Sequence, residues 1–320
     1  MKVGLDLMGG DFAPLKALEG IVLFLEEDNS NNSLVLLGNK EILEKTCKNV
    51  FQRVLNDKRV SFIHTDEIID MSDIPTRAFN SKKNSSISVG FSLLQKNDID
   101  AFASAGNTGA MMVGAYYAAK PIEGVIRPAI STLIPKLNNS LGLLLDVGVN
   151  PDCRQDVLHQ FGHLGTAFLK SVYGISNPKV GLLNIGSEAE KGNLVSQAAY
   201  QLLANDSNLN FIGNIEGYDV FGDKADVIVC DGFTGNVLLK SIEGFFNVSK
   251  VQNVNDSFIN KLNYENYGGT PVLGISKTVV VAHGKSSEIA FKNIIRNTII
   301  ILEKNLNENL QKQLKSIVNI

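Results

Sequence analysis

The chain has 320 residues, of which 44% are hydrophobic and 20% charged, and its 30 basic and 33 acidic side chains give a formal net charge of −3. A chain of this length and composition can bury a large core, so we expect a globular protein. The near-neutral charge argues against a general nucleic-acid-binding protein, because such proteins normally carry a basic stripe.

Short, continuously apolar runs predict strands that are covered on both faces, and segments with helical spacing lie between them. Alternating strands and helices predict an α/β fold with a mostly parallel sheet. In chain order the predicted strands are 2–7, 34–37, 60–63, 101–103, 141–147, 179–184, 210–212 and 227–230, and helical spacing is evident at 16–26, 85–94, 157–173 and 193–203.

No repeat, low-complexity tract or Pro- or Ser-rich linker marks a domain boundary. We therefore predict one domain over residues 1–320, with two lobes around a cleft as the alternative. An Asn-rich stretch at 247–266 indicates an insertion, which we place as a short helical segment at about residues 244–264.

Five predicted strands end in polar, Gly-rich loops. Glycines let the backbone approach a ligand closely, and a following helix aims free N–H groups and the positive end of its dipole at an anion. Each loop alone is typical of an ordinary βα turn, but open α/β sheets bind ligands at the carboxyl ends of their strands, so we expect one shared cleft. The loops are LDLMGGD (5–11), FASAGNTGAMM (102–112), LLLDVGVN (143–150), VGLLNIGSEAEKGN (180–193) and VIVCDGFTGNVLLK (227–240).

Several familiar catalytic motifs are missing from the sequence. No two glycines are separated by a single residue, so the dinucleotide fingerprint G-x-G-x-x-G is absent, and there is no G-x-S-x-G nucleophile elbow. GKS (284–286) resembles the end of a P-loop, but Val279 stands where that motif begins with glycine. His159 and His163 have i, i+4 spacing without the glutamate of a zinc protease, and we interpret them as structural. We therefore predict no cofactor and no metal.

Cysteine spacing and the apolar runs bear on the cellular compartment. Cys47, Cys153 and Cys230 lie far apart without a C-x-x-C pair, which fits a reducing cytosol. The N-terminus lacks the apolar core of a signal peptide, and no apolar run approaches the roughly 20 residues that cross a bilayer. We expect a cytoplasmic protein.

A site made of backbone donors, amides and few charges suits direct transfer between two bound reactants. The protein then positions the substrates, and orientation alone is worth roughly 7–11 kcal/mol. Phosphate is a natural candidate for one reactant, because KKNSS (82–86) brings two lysines to the start of a predicted helix with Ser85 or Ser86 as its N-cap. The alternative is a solvated basic turn.

Ten short motifs occur along nearly the whole chain, and each is weak by itself. They are MGGD (8–11), KKNSS (82–86), SAGNTGA (104–110), RPA (127–129), LDVGVN (145–150), GLLNIGSE with KGN (181–193), NFIGNIE (210–216), DGFTGNV (231–237), YGG (267–269) and AHG (282–284). In this order they resemble the bacterial acyl-ACP:phosphate acyltransferase family (PlsX).

The resemblance implies transfer of a long-chain fatty acyl group from acyl carrier protein to inorganic phosphate, which gives acyl phosphate for phospholipid synthesis. It implies a homodimer whose fold is a three-layer α/β/α sandwich, similar to isocitrate dehydrogenase and phosphotransacetylase. A downstream membrane glycerol-3-phosphate acyltransferase is a further candidate partner, and no nucleic-acid partner is expected.

Residues and resemblance together suggest that phosphate attacks the thioester directly, held by Lys82, Lys83 and the 106–109 loop. Backbone N–H groups near Gly235 and Asn236, or two side-chain amides, are candidates for stabilising the thioester oxygen. Those amides belong to Asn184 and Asn214. His283 is the candidate acid for the departing thiolate, since the ordinary histidine pKa lies near neutrality, and a structural role is the alternative.

Four loop aspartates, at positions 6, 11, 146 and 231, are expected to orient lysines or amides, with N-capping and turn formation as the alternative. The predicted catalytic residues are Lys83, Asn184, Asn214, Asp231, Asn236 and His283. The predicted substrate-binding residues are Asp6, Gly9, Gly10, Asp11, Lys82, Asn84, Ser85, Ser104, Gly106, Asn107, Thr108, Gly109, Asp146, Asn150, Gly186, Gly232 and Gly235.

The 244–264 segment departs from the family pattern. Relatives often have a longer, apolar helical hairpin there that is associated with membrane contact, whereas this segment is short and Asn-rich. Its apolar side chains can form one stripe, which suits a dimer interface or, as the alternative, peripheral contact with a membrane. They are Val248, Val251, Val254, Phe258, Ile259 and Leu262.

Two other functions stay open. A phosphotransacetylase-like enzyme would use acetyl-CoA and needs neither an apolar groove nor a basic rim for a carrier protein. A non-catalytic sensor would only bind an anionic metabolite or a partner.

Overall fold

The computed structural model describes residues 1–318 of the chain, and the side chains of residues 1–315. Strands and helices alternate along this part. The strands are β1 (Lys2–Asp6), β2 (Ser33–Gly38), β3 (Val60–His64), β4 (Ala101–Ser104), β5 (Ala129–Pro135), β6 (Leu141–Leu145), β7 (Lys179–Leu183), β8 (Asn210–Ile215), β9 (Val227–Val229), β10 (Gly269–Leu273) and β11 (Thr278–Ala282). The α-helices are α1 (Leu15–Glu27), α2 (Lys40–Thr46), α3 (Lys48–Leu55), α4 (Pro75–Ser81), α5 (Ser86–Lys96), α6 (Thr108–Gly114), α7 (Gln155–Tyr173), α8 (Leu194–Ala204), α9 (Gly232–Val251), α10 (Ser257–Lys261), α11 (Glu288–Glu303) and α12 (Leu306–Val318).

All eight predicted strands are present, and the predicted α/β class with a mostly parallel sheet is confirmed. The list of predicted strands lacked β5, β10 and β11, although residues 279–282 of β11 form a continuous apolar run. A proline in each of β5 and β10 weakened the apolar signal, because proline removes a backbone donor and is disfavoured inside sheets.

The chain divides into two compact units, each made from two separate stretches of sequence. Unit 1 comprises Met1–Pro121 and Glu265–Lys304, and unit 2 comprises Ile122–Tyr264 and the segment that begins at Asn305. No helix within residues 1–318 is both long enough and apolar enough to cross a membrane.

Unit 1 has the strand order β3-β2-β1-β4-β11-β10, in which only β10 is antiparallel to its neighbour. Two glycines allow its helices to pack closely. A Cβ at Gly20 of α1 would overlap the Phe291 side chain of α11, and a Cβ at Gly90 of α5 would overlap the Phe102 ring of β4. The helices therefore lie close to each other and to the sheet, which fixes the loops at the strand ends.

Unit 2 has the strand order β5-β6-β9-β7-β8, in which only β5 is antiparallel to its neighbour. The 19-residue helix α7 packs against β6 and β9, and a Cβ at Gly165 would overlap the Val227 side chain. At the end of β5 the ammonium of Lys136, which is 2% exposed, lies 2.6 Å from a carboxylate oxygen of Asp226. Burial of this pair fastens β5 to the start of β9.

The segment 244–264 is largely helical, because α9 extends to Val251 and α10 follows at Ser257–Lys261. On its stripe Val248 and Val251 are exposed, whereas Leu262 is buried in a core cluster of unit 2. Only part of the predicted stripe is therefore available to a partner or a membrane.

Candidate active site

In unit 1 the loops after β1 and β4 meet at a buried carboxylate. Asp6 ends β1, and its Oδ2 accepts a hydrogen bond from the Ser104 hydroxyl (2.6 Å) at the end of the neighbouring parallel strand β4. Its Oδ1 accepts from the Met8 backbone N–H (2.8 Å), and the Ser104 hydroxyl oxygen accepts from the Gly106 N–H (2.9 Å). Asp6 thus ties both Gly-rich loops together.

The Asp6 side chain has no exposed surface, and this burial raises the pKa of its carboxyl above the ordinary value. Hydrogen bonds from the Ser104 and Ser86 hydroxyls and from the Met8 and Gly9 backbone act in the opposite direction. Such a carboxylate is suited to holding loops in place rather than to contacting a substrate.

Glycine is required where these loops touch. A Cβ at Gly9 would overlap the Asp6 carboxylate and lie 2.5 Å from the Gly106 nitrogen. Gly10 has φ +107°, a conformation that side chains disfavour, and the next residue, Asp11, donates its N–H to the Gly284 carbonyl (2.7 Å). Unit 1 therefore brings together the loops after β1, β4 and β11.

His283 belongs to the loop after β11, next to Gly284. Its Nδ1 accepts a hydrogen bond from the Lys285 backbone N–H (3.0 Å), and its carbonyl accepts from the Ser286 N–H (3.0 Å). In the neutral imidazole this contact places the ring proton on Nε2, because only the deprotonated nitrogen accepts.

The two lysines of KKNSS have different environments, whereas both were expected from the sequence to bind phosphate. The Lys82 ammonium donates to the Ile68 carbonyl (2.7 Å) and pairs with the Asp73 carboxylate (2.6 Å), which raises the pKa of Lys82. The Lys83 side chain is exposed, and its ammonium lies 5.5 Å from the centre of the Phe79 ring. Lys82 holds the preceding loop, so Lys83 is the better placed of the two for a soluble anion.

Asn84 and Ser85 likewise fix local structure. The Asn84 N–H donates to the Glu67 carboxylate (2.8 Å), and the Asn84 side chain donates to the Asp66 carboxylate. Ser85 is the N-cap of α5, because its hydroxyl accepts from the Ser88 N–H (3.2 Å).

The SAGNTGA loop is fastened from two sides. The Asn107 amide donates to the carbonyls of Asp70 (3.0 Å) and Asp73 (3.0 Å), and its oxygen caps α6 through the Ala110 N–H (3.0 Å). Gly109 is in tight contact with Pro75, where a Cβ would overlap the proline ring. Thr108, the first residue of α6, is exposed.

In unit 2 a second buried aspartate organises the loops after β6 and β9. Asp146 follows β6, and its Oδ2 accepts from the Asn150 backbone N–H (2.6 Å) and side-chain amide (2.9 Å), while its Oδ1 accepts from the Ile130 N–H (3.2 Å). Burial raises the pKa of Asp146, and the hydrogen bonds from Asn150 oppose that rise. The Gly232 N–H donates to the Asn150 carbonyl (2.7 Å), which joins the two loops.

The first turn of α9 lies against Asp146. A Cβ at Gly235 would overlap the Asp146 carbonyl oxygen, and a Cβ at Gly232 would lie 2.8 Å from its carboxylate. Asp231 is the N-cap of α9, accepting from the Thr234 N–H (2.7 Å). Asn236 is exposed on this turn, and its side chain is within 3.5 Å of the Cβ position that Gly148 lacks.

The third loop of unit 2 follows β7 and contains Asn184 and Gly186. The Asn184 amide donates to the Lys191 carbonyl (3.1 Å), and the Asn214 amide, at the end of β8, donates to the Glu188 carbonyl (2.7 Å). The buried Oδ1 of Asn214 has no hydrogen-bond partner among residues 1–318. Both amides hold the loop closed. At the start of α9 the N–H groups of Gly232, Thr234 and Gly235 also have partners, Asn150 and Asp231, so the exposed Asn236 amide is the better candidate for stabilising an oxyanion.

The predicted site residues therefore form one group in unit 1 and two in unit 2, and the shared cleft stays a prediction. Two contributors were absent from the predicted set. Gly284 accepts the Asp11 N–H, and Ser86 bonds to Asp6. Both lie inside quoted motifs, AHG and KKNSS, but their partners are remote in sequence.

The sequence matches a family model described as "Fatty acid synthesis protein" over residues 1–253 and 250–309. It is 40% identical to a phosphate acyltransferase of Thermoanaerobacterium thermosaccharolyticum, covering 99% of this chain and 98% of that protein. It is 38% identical to a phosphate acyltransferase of Dictyoglomus turgidum, covering 100% and 99% of the two chains.

Similar solved structures include a branched-chain phosphotransacylase from Enterococcus faecalis (TM-score 0.64, 13% identity), which covers 94% of this chain and 98% of that one. A phosphotransacetylase from Streptococcus pyogenes gives a TM-score of 0.61 at 18% identity and covers 94% of each chain. At such low identity the likeness shows a common fold alone.

Proposed function

The chain belongs to the phosphate acyltransferase family, an acyltransferase family, and from that premise we propose that it moves a long-chain fatty acyl group from acyl carrier protein to inorganic phosphate. The products are acyl phosphate and the free thiol of the carrier. Acyl phosphate then serves phospholipid synthesis, and a downstream membrane acyltransferase is the proposed consumer.

The similarity along the full length of the chain carries this proposal, because 40% identity spans 99% of its residues. The Gly-rich loops fit the same chemistry. Backbone N–H groups at strand ends bind oxoanions without a metal ligand set, and direct transfer needs positioning more than a covalent nucleophile.

We propose that Lys83 attracts the phosphate nucleophile. Its ammonium is exposed at the start of α5, whereas Lys82 is committed to Asp73. A charged hydrogen bond is worth about 1.5–3 kcal/mol. Removing it is expected to raise the KM for phosphate roughly 10- to 100-fold.

We propose that the Asn236 amide, together with the positive end of the α9 dipole, stabilises the thioester oxygen as it gains negative charge. His283, the candidate acid, is proposed instead to donate a hydrogen bond from Nε2 to the departing sulfur, because its Nδ1 accepts the Lys285 N–H and a neutral ring is too weak an acid to give up its remaining proton. The sulfur takes the proton that the attacking hydrogen phosphate loses, as the carbon–sulfur bond breaks.

The activity is tested by incubating the protein with palmitoyl-ACP and phosphate and measuring acyl phosphate and free thiol. We expect both products in equal amounts. Product from acetyl-CoA alone would replace the proposal with a phosphotransacetylase-like function, and no product from either donor would favour the sensor.

The role of Lys83 is tested in the same assay with Lys83→Ala. Lys96→Ala is the matched control, because Lys96 is an exposed lysine at the other end of the same helix. We expect the KM for phosphate to rise only in Lys83→Ala. An unchanged KM in both variants would remove Lys83 from the scheme.

A further inference from the structure

Two histidines and an aspartate converge in unit 2. His159 and His163 lie one turn apart on α7, and Asp206 follows α8. The Nε2 atoms of both rings lie 2.7 Å from the same carboxylate oxygen, Oδ2 of Asp206. The rings are edge to face with centroids 4.9 Å apart, and the three ligand atoms all lie within 4.8 Å of one another.

The cluster is held in place by its surroundings. His163 is 7% exposed, Asp206 11% and His159 23%. The second carboxylate oxygen of Asp206, Oδ1, accepts from the Asn208 backbone N–H (2.9 Å) and side-chain amide (3.1 Å). These contacts orient the carboxylate so that Oδ2 is directed at the histidines, as outer hydrogen bonds do for metal-binding carboxylates.

The donor set is typical of a transition metal. Two imidazole nitrogens and a carboxylate oxygen suit Zn²⁺, and histidines at i and i+4 present their nitrogens on one helix face. Metal–ligand bonds of about 2.0 Å place tetrahedral ligands about 3.3 Å apart. The observed N–O distances of 2.7 Å reach that value with small side-chain rotations, and the partly exposed side of His159 leaves access for a water ligand.

We propose that His159, His163 and Asp206 form a binding site for one divalent transition metal ion, preferentially Zn²⁺. The ion replaces the two hydrogen bonds to Oδ2, and each ring keeps its proton by carrying it on Nδ1 while Nε2 binds the metal. A metal at this position braces α7 against the turn before β8. Binding to the folded chain alone raises the free energy of unfolding by RT ln(1 + [Zn²⁺]/Kd).

The site is tested with the full-length chain after treatment with a chelator, by calorimetric titration with ZnCl₂. We expect one Zn²⁺ per chain with a Kd in the micromolar range or tighter, and a higher melting temperature with Zn²⁺. X-ray absorption at the zinc edge is expected to show nitrogen and oxygen ligands near 2.0 Å without sulfur, which separates this site from the cysteines.

His159→Gln is the main variant, because this side chain is the most exposed of the three and its loss leaves the core intact. We expect at least about tenfold weaker Zn²⁺ binding. His163→Gln and Asp206→Asn are expected to weaken Zn²⁺ binding to a similar extent. If either of these variants fails to fold, the result for His159→Gln tests the site.

His64→Gln is the matched control, because His64 makes the same contact to a carboxylate, that of Asp66 (2.7 Å), without a second histidine. Its zinc binding is expected to equal that of the unaltered chain. The proposal is overturned if the unaltered chain shows no saturable 1:1 binding up to 100 µM Zn²⁺, or if His159→Gln binds as tightly as the control.

Discussion

At the scale of single residues, both units use the same device at the end of a buried strand. Asp6 follows the apolar run of β1 and Asp146 that of β6, and each accepts hydrogen bonds from the loop that comes next. Glycines pack on both carboxylates, Gly9 on the first and Gly232 on the second. The aspartates therefore shape the Gly-rich loops.

The buried Asp6 carboxyl gives a pH prediction. Its folded pKa is raised, so its contribution to the free energy of unfolding is greatest below the unfolded pKa of about 4 and falls as pH rises through the folded pKa. The Asp6→Asn variant has no ionisable group at this position, so its free energy of unfolding lacks this pH-dependent decrease. We expect the unfolding free energy of the unaltered chain to decline relative to Asp6→Asn as pH rises, by at most about 1.4 kcal/mol per pH unit.

Urea unfolding of both proteins from pH 4 to pH 8 measures this difference. The lost hydrogen bond from Ser104 adds an offset that does not depend on pH. A constant difference across the whole range would contradict the raised pKa.

Two glycines of α9 give opposite predictions for the same substitution. Gly235→Ala places a Cβ on the Asp146 carbonyl oxygen, which is backbone and cannot rotate away, so we expect a loss of at least roughly 1–3 kcal/mol of stability. At Gly244 no atom of the described part of the chain lies within 4 Å of the Cβ position. Gly244→Ala is expected to stabilise the helix by about 0.5–1 kcal/mol. Denaturant unfolding of both variants measures these changes in stability. Equal changes in the two variants would contradict the prediction.

At the scale of elements, the helices that follow the candidate-site loops begin with side-chain caps. Ser85, Asn107, Asn193, Asp231 and Ser287 each accept a hydrogen bond from the first turn of their helix. Capping and anion binding favour the same residue types at the same positions. The sequence pattern therefore indicates where a loop becomes a helix, and leaves the ligand undetermined.

Asp231, predicted as catalytic and observed as the N-cap of α9, separates these two roles. Asp231→Asn keeps a capping oxygen, so we expect stability within a few tenths of a kcal/mol of the unaltered chain, whereas Asp231→Ala loses about 1 kcal/mol. A catalytic charge would be lost in both variants. Turnover and thermal unfolding are measured for both variants. Full activity in Asp231→Asn would show that Asp231 acts as the N-cap of α9 and not as a catalytic charge.

At the scale of the whole molecule, each compact unit is completed by sequence from the C-terminal part of the chain. Unit 1 takes β10, β11 and α11 from Glu265–Lys304, and β11 lies between β4 and β10. Unit 2 takes α12, which packs on α7. Neither unit can form its full core from the first 264 residues.

A chain that stops after Lys304 tests this dependence in unit 2. It loses the buried leucines at positions 306, 310 and 314, each worth about 1.5–3 kcal/mol of burial. We expect faster hydrogen exchange in α7 and a lower free energy of unfolding. Lys312→Ala is the control, because Lys312 is exposed on the same helix. Unchanged protection of α7 in the shortened chain would show that α12 is dispensable.

Much of the fold could be predicted from the sequence. Continuous apolar runs identified eight strands, because a strand covered on both faces must be apolar throughout. Three strands were missed. β5 and β10 each contain a proline, which weakens the apolar signal, whereas the apolar run of β11 was not counted as a strand.

The sequence by itself determined which residue types stand in each loop, and through them the family and the α/β class. Only the tertiary structure decided how those residues are used: Lys82 pairs with Asp73, Asn107 holds the carbonyls of the 70–73 loop, and the amides of Asn184 and Asn214 close another loop. The reason is physical. A polar side chain is committed by the donors and acceptors around it, and folding brings these from distant parts of the chain.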